Sequence, residues 1–595
     1  MKEPVDLEKL RPRRGTLWNL MAVDLGDQPG PPEAVYPSAP QKVNGSYSSG
    51  HGPDLAIDFG TSAIAAALVG GNHAVEVLRF GDEELLASPF GRRRSLDRSR
   101  LADNYELSYG YLGSGPPDSG QDFYPCLKRR IEHLARCHGD NGWRHEATLD
   151  VAAVCQLALG RARDRQGKKL ADRLGNDFQI FITVPNAFPR AAVEVLRRGV
   201  AFGVAATLGQ GRLPVVRALL EAEAVAYAHL LKPRLDAPSR RTTLLVVDAG
   251  AGTTDASIVR AEAGELRVLA HVGLPVGGMD LDTLIASLKG SFTAQKPFDL
   301  MQRLEASRQA KQHHLGRPGA HENLGSRFEA LARDLVQNNG WPASSPQGQS
   351  VATEIQRAHE RYLALAVRGL IRALPASELT RVDDVVLSGR GSLLAGFQEA
   401  VRAAVAEHGP SPEPRSAPTA RERKLAVVRG VGAYVASTYG NSWDRRPVRS
   451  CYEIYLRHED DRELALVDAG QPLDRGWGSA AWHQPARELG AHRTRPRLEL
   501  RMVPRDVLRS LANEGSFDQK ELEELLRWSV LPVLRIDERP PPYSARLAFD
   551  FLSLQARLEV EGEEIRTLGQ SPTGFGRRHP VHQLDDAWFE LSAGG

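Results

Sequence analysis

Two spacings of apolar residues alternate along this chain. Short runs of Val, Ile, Leu and Ala closed by glycine or proline predict buried strands, and longer stretches with apolar positions three or four apart predict helices. The most sharply bounded run, Leu244 to Val247, enters the turn DAGAGTTDAS ending at Ser257. A similar unit starts at Asp54, where DLAIDFGTS carries apolar residues into Asp58, Gly60, Thr61 and Ser62. AIAAALVGG and AVEVLRF then predict antiparallel strands joined by the Gly70-Gly71-Asn72 turn. Phe123 to Cys137 has helical spacing with a basic face, and Phe178 to Val184 predicts a buried strand stopped by Pro185 and Asn186. Ala191 to Leu208 predicts a helix whose Gly199 and Gly203 imply close packing on a neighbour.

From Val215 to Leu230 the pattern passes from strand to helix, with Glu221 at the junction. Gly277-Gly278, followed by Asp280 and Asp282, opens another helix, a ready site for an anion or simply a helix start. Residues 299–314 and 351–374 predict amphipathic helices separated by a polar connection. Val382 to Phe397 predicts a strand entering the turn Ser388-Gly389-Arg390-Gly391-Ser392, and Leu425 to Ser437 a small-residue helix. Farther on, CYEIYLR, RELALVDAG, PRLELRMV, VLPVLRI, ARLAFDF and ARLEVEG read as short strands. A helix from Ser516 to Trp528 interrupts them, with Ser516 as cap and Gln519 reciprocating. Residues 1–53, rich in Pro, Gly and Ser, read as a flexible leader.

Composition narrows the classes. With 595 residues the chain has room for about two to four domains. A net charge of +2 argues against a dedicated nucleic-acid surface, and the local patch Arg92-Arg93-Arg94 reads as a solvated loop. Four cysteines without a CxxC pair exclude a cysteine zinc cluster and fit a reducing compartment. There is no apolar signal segment and no run long enough to cross a bilayer, so the expectation is a cytoplasmic protein with neither membrane nor nucleic-acid partner.

The chemistry concentrates in the glycine turns. Gly250 and Gly252 remove side chains where a backbone must approach something bulky, and they permit positive φ, so successive N–H groups can converge on one anion. Asp248 and Asp255 bracket the turn, and carboxylates beside phosphate oxygens suit a hard divalent ion. A tight hairpin with two solvated aspartates is the plainer alternative. The second copy at 54–62 favours a duplicated unit with a nucleotide between its halves, although neither copy has the Gly-Lys-Ser/Thr of a Walker loop. Glu221 can orient a water, or serve only as a first-turn acid favoured by the helix dipole. The turn at 389–392 has no aspartate and suits a neutral base and sugar.

In their order, IDFGTS, VPNAFPRAAVEVLRRG, LLEAEAVAY, VDAGAGTTDAS, GGMDLD, VVLSGRGSLLAGF and VRGVGAYVAS resemble the motifs of the actin-like ATPase superfamily. They are more closely similar to the nucleotide-binding domain of the seventy-kilodalton heat-shock (DnaK-type) chaperones. The resemblance covers residues 54–440. It implies an α/β, duplicated, ribonuclease-H-like two-lobed ATPase domain there, after the leader 1–53. A smaller β-rich C-terminal domain at 441–595 would be a divergent substrate-binding domain. The implied cofactors are ATP/ADP and Mg2+, with Asp58, Asp248 and Asp255 holding the metal through water. Gly60, Thr61, Ser62, Gly250, Ala251, Gly252, Thr253 and Thr254 would contact phosphates, with Gly277 and Gly278 beside them. Glu221, Asp248 and Thr253 would be catalytic. Gly389, Arg390, Gly391 and Ser392 would face the adenosine, and Arg308 with Lys311 would lie on the adenine-clamping helix.

The resemblance has gaps. Such chaperones place a lysine ahead of the helix matching Cys126-Leu127-Lys128-Arg129, and no lysine stands between Lys42 and Lys128. Without that charge, hydrolysis is expected to be slow or to rely on Lys128 or a nearby arginine. The acidic-leucine linker and helical lid are missing as well. The implied function is a chaperone-type, slow magnesium-dependent ATPase whose nucleotide state controls protein binding by the C-terminal module. Its partners would be a client protein and a co-chaperone or exchange factor. The alternatives are a nucleotide-sensing scaffold with little hydrolysis, an actin-like filament protein and a small-molecule kinase.

Overall fold

The computed structural model describes residues 53–438 except 71–74, 88–89, 94–104, 108–120, 125–126, 138–141, 176–177, 187, 189, 209–212, 231–240, 263–264, 291–296, 317–322 and 418. Beyond 438 it describes 451–457, 463–470, 479–485, 497–515, 517–531, 544–550, 555–560 and 563–564. The expected leader, the Gly71-Asn72 part of the first hairpin turn, and the VLPVLRI run after Leu531 lie outside the described residues.

The apolar runs form two sheets. The first contains β1 (Asp54–Phe59), β2 (Ala63–Val69), β3 (Val75–Val77), β4 (Gln179–Val184) and β5 (Val215–Leu220), in spatial order β5-β4-β1-β2-β3. Strand β1 is antiparallel to β2 and parallel to β4, and β4 is parallel to β5. The second contains β6 (Thr242–Ala249), β7 (Thr254–Glu262), β8 (Glu265–Leu274), β9 (Asp384–Ser388) and β10 (Arg415–Ser416), in order β8-β7-β6-β9-β10. Again the leading strand is antiparallel to the next and parallel to the fourth. The two sheets therefore share one order and one sense of pairing, so the duplication seen in two Asp-Gly turns extends through both.

Strands β1, β2 and β6 are buried on both faces, because helices cover each side. Leu55 and Ile57 point to α2 (Gly142–Arg161) and α3 (Arg190–Leu208), where Val151 and Leu196 complete one core. Gly199 and Gly203 let these helices touch: Cβ atoms there would lie 2.5 Å from Val151 Cβ and 2.6 Å from Cys155 Cβ. Ala56 points the other way, into a core shared by both sheets and by α4 (Glu221–Leu230) and α10 (Ala420–Thr438). These two helices meet backbone to backbone, since any Cβ on Gly430 would run into the Ala224 carbonyl. Their first turns consequently open onto one place.

A third core lies under the second sheet with α5 (Gly278–Ser287), α6 (Pro297–Leu315), α7 (Leu324–Asn339), α8 (Val351–Leu363) and α9 (Phe397–Ala406). Helix α7 fills the expected polar connection, burying Phe328, Leu331 and Leu335 on one face of an otherwise charged segment. The same core continues into the C-terminal region through Tyr452, Ile454, Leu500, Met502, Leu508 and Leu522. There β11 (Glu453–Arg457), β12 (Glu463–Val467), β13 (Arg497–Arg501) and β14 (Arg527–Leu531) form a sheet in order β12-β11-β13-β14. Strands Ser479–Pro485, Ser544–Asp550, Gln555–Val560 and Glu563–Glu564 form another.

Two C-terminal expectations change. Helix α11 (Arg505–Asn513) went unread, and the helix expected over Ser516 to Trp528 is α12 (Gln519–Leu526), which gives way to β14 at Arg527. Its cap is Asp518, whose Oδ1 accepts the Glu521 N–H at 2.7 Å while Glu521 accepts the Asp518 N–H at 3.1 Å. Ser516 lies outside the described residues. Among the described residues no helix is long and apolar enough to cross a membrane.

Candidate functional site

The β1–β2 and β6–β7 hairpins close alike: Gly60 N–H donates to the Ala63 carbonyl at 3.1 Å, and Gly250 N–H to the Thr253 carbonyl at 2.8 Å. The two turns also touch. A Cβ on Gly252 would lie 2.8 Å from Thr61 Oγ1, so anything larger than glycine pushes the hairpins apart. Close approach is the reason for glycine here. Positive φ is not, because neither Gly250 nor Gly252 adopts it. The left-handed residue is Gly389 (φ 73°), where a Cβ would collide with the Ala249 carbonyl and stand 2.6 Å from Asp248 Oδ1.

Asp58 and Asp248 occupy matching positions, next to last in β1 and β6. Asp58 Oδ1 accepts the Thr183 hydroxyl at 3.1 Å, and Oδ2 is ion-paired with Lys424 in the first turns of α10. Asp248 is close enough to feel Asp58, Glu221 and Lys424. Burial first, then the Glu221 and Asp58 carboxylates, push its carboxyl up to about 7 against the pull of Lys424. Asp255, the cross-strand partner of Asp248, is raised well above the carboxylate range by burial, Glu221 and Asp248. One of its oxygens accepts the Asn186 N–H at 2.7 Å.

A cation stands where the sequence suggested a gap. Lys128, in the first turn of α1 (Leu127–Cys137), is buried, faces the cleft and pairs with Glu221. Burial opposes its charge, but Glu221, Asp58 and Asp255 together outweigh that and raise its pKa above the usual lysine value. Arg129 turns aside to Asp280 at 2.7 Å.

The cleft has a volume of about 470 Å³. Of the residues expected from sequence, Gly60, Thr61, Ser62, Glu221, Asp248, Gly250, Ala251, Thr253, Gly278, Arg308, Lys311, Gly389, Arg390 and Gly391 line it. Asp58, Gly252, Thr254, Asp255, Gly277 and Ser392 stand behind its wall, where they hold the turns. The Thr254 hydroxyl donates to the Val276 carbonyl at 2.7 Å, and that of Ser392 to the Gly389 carbonyl at 2.7 Å. At the start of α5, the Gly278 and Met279 N–H groups donate to the Gly250 and Ala251 carbonyls at 3.0 and 2.8 Å. This helix start therefore braces the second hairpin and does not offer those amides to an anion. Lys311 is held by Asp282 and the Gly278 carbonyl at 2.7 and 2.6 Å, and Arg308 by Glu305. Arg390 donates to the Ser62 hydroxyl, joining the turn at 388–392 to the first hairpin.

Sequence reasoning missed Lys424, Asn186 and Arg423. Lys424 stands one residue before the apolar stretch taken as the helix, so its place in the first turns of α10 went unread. Asn186 was read only as a strand stop, yet its side-chain amide donates to the Ala256 carbonyl, the Ser257 hydroxyl and the Val272 carbonyl at 3.0–3.1 Å. It thereby fastens the loop after β4 to the second sheet. Arg423 donates to the Ser392 hydroxyl at 2.6 Å.

The lining suits a nucleotide, since it combines two backbone turns and several cations with the apolar Leu393, Leu394 and Val427. The three carboxylates assigned to magnesium do not fit a shared divalent ion while Lys424 holds Asp58. Among the described residues, no group of three His, Cys, Asp or Glu side chains is placed to hold a metal.

Residues 181–314, which carry Glu221, the second hairpin, Gly277-Gly278, Arg308 and Lys311, match the family model described as Hsp70 protein. The chain is 25% identical over 364 residues to the chaperone protein DnaK of Metamycoplasma hominis, covering 58% of this chain and 54% of that one. It is 30% identical over 240 residues to the chaperone protein DnaK 3 of a Synechococcus strain, covering 38% and 33%. The chain thus spans about half or less of the length of these curated relatives. On these matches the chain is similar to Hsp70/DnaK-type chaperones over its central part.

Proposed function

We propose that this chain is a chaperone-type ATP-binding protein on a duplicated, actin-like two-lobed frame. The observation that carries the reading is the meeting of the two hairpins at Gly252 and Thr61, over a cleft that also holds Lys128, Glu221 and Asp248. The turns at Gly60–Ser62 and Gly250–Thr253 take the phosphates through backbone N–H groups and hydroxyls. Lys128 stabilises charge that develops on the transferred phosphoryl group, and Glu221, oriented by Lys128, positions the attacking water. Gly389, Arg390, Gly391 and Arg308 take the base and sugar. In this reading Gly252, Thr254, Asp255, Gly277 and Ser392 act indirectly, by fixing the turns. The buried free thiols Cys155 and Cys451 support a cytoplasmic setting.

The C-terminal residues bind the client protein, and a co-chaperone or exchange factor acts on the cleft. Because part of 451–526 shares a core with the second sheet, that part moves with the second half of the ATPase domain. Calorimetric titration of ATP into the full chain tests the reading. One site per chain in the wild type and none in Gly252→Leu is the expected result; no heat from the wild type refutes it. The absence of a lysine between Lys42 and Lys128 motivates a second reading, a nucleotide-sensing scaffold with little hydrolysis. Phosphate release no faster than that of Asp248→Asn would select it.

A further inference from the structure

Lys424 is held in place from several directions. It stands on α10, whose position is fixed by the Gly430–Ala224 contact, and its ammonium pairs with the fully buried Asp58 while its own side chain is 14% exposed. It lines the cleft beside Gly60, where any Cβ would run into the ammonium, so the first hairpin is shaped around this lysine as well. Lys424 also acts on Asp248, so one fixed cation serves the leading aspartate of both hairpins. Lys128 pairs with Glu221 on the wall of the same cleft.

An ammonium carries three donors and can hold a carboxylate oxygen and a phosphate oxygen at once. A divalent ion next to Asp58, bound directly or through water, would have to share a carboxylate oxygen that already carries an ammonium, and would meet a like charge there. We propose that Lys424 is a resident cation occupying the place of a divalent ion beside Asp58, so that this chain binds a nucleoside triphosphate without needing magnesium. The proposal rests on the nucleotide reading above and goes beyond it by assigning the counter-charge to the protein.

The test is a fluorescent-ATP titration of the full chain in excess magnesium and in EDTA, on the wild type, Lys424→Met and Lys424→Arg. Wild-type affinity is expected to change less than about threefold between the two conditions. Lys424→Met should lose about tenfold or more in EDTA and regain it in magnesium, while Lys424→Arg stays near wild type. A wild type that weakens about tenfold or more in EDTA overturns the proposal, and so does a folded Lys424→Met that binds unchanged there. The wild-type comparison stands even where the methionine variant fails to fold. No binding in either condition refutes the nucleotide reading itself and this proposal with it.

Discussion

Replacing Lys128 by methionine keeps most of the side chain's volume and removes its charge. Glu221 is then left 9% exposed, without its ion-pair partner, and facing Asp248 and Asp255. Burial is the largest single influence on Lys128 and works against its charge, yet the surrounding carboxylates prevail and its pKa is raised. The pair therefore favours the charged form on balance. Breaking such a buried pair from one side costs about 3–5 kcal/mol, mostly as an uncompensated charge. Glu221→Gln in the same background removes that charge, so the double variant should be less destabilised than the two single variants summed, by about 2 kcal/mol or more. Because the folded-state pKa is raised, the Lys128 contribution is fully present below the ordinary lysine value of 10.5 and fades only as pH rises through the higher folded value. Urea unfolding of the four proteins at neutral pH gives the cycle. A Lys128→Met variant within about 0.5 kcal/mol of wild type, or additive losses, would refute the reasoning.

Three further outcomes follow from the geometry. Gly389→Ala must place a Cβ against the Ala249 carbonyl at φ 73°, and should cost about 2 kcal/mol or more in unfolding experiments and abolish ATP binding. Asn186→Ala leaves the acceptors on Ala256, Ser257 and Val272 without their donor, and should lower stability by about 1–3 kcal/mol in urea titrations. Burial raises the Glu223 carboxyl to about 8 from its ordinary 4.5, so the stability tied to its neutral form is complete below 4.5 and is lost as pH climbs through 8. Glu223→Gln should flatten the melting temperature across that window and gain on the order of 4 kcal/mol over wild type at the alkaline end. Parallel pH profiles for the two proteins would sink this assignment.

The strands ending at Phe59, Val184, Ala249 and Ser388 were legible because their runs are short, mostly buried and closed by glycine or proline, whereas the strands Phe90–Arg93 and Glu265–Leu274 and helix α2 were not read. Glu221 was found because strand passes directly into helix at that residue. What escaped were features fixed by contacts distant in sequence. Helix α7 has apolar residues on one face only, and its polar composition hid Phe328, Leu331 and Leu335. Gly252 was read as a place for close approach to a ligand and for freedom of φ, whereas the neighbour that excludes a Cβ is Thr61, far away in sequence. Lys128 and Lys424 are ordinary lysines in sequence; their importance comes from Glu221 and Asp58 standing opposite them. In the C-terminal region the strand pattern was visible, whereas its core shared with the second sheet depends on Tyr452, Leu500 and Leu508 meeting residues more than about a hundred positions away, and no periodicity reports such pairings.

The most direct test of two hairpins closing on one nucleotide is amide hydrogen exchange of the full chain, read by mass spectrometry with and without ATP. Slowed exchange in peptides covering Gly60–Ala63 and Gly250–Thr253 together, at the same ATP concentration, is the expected result. Slowing confined to one hairpin, or found in neither, would contradict it.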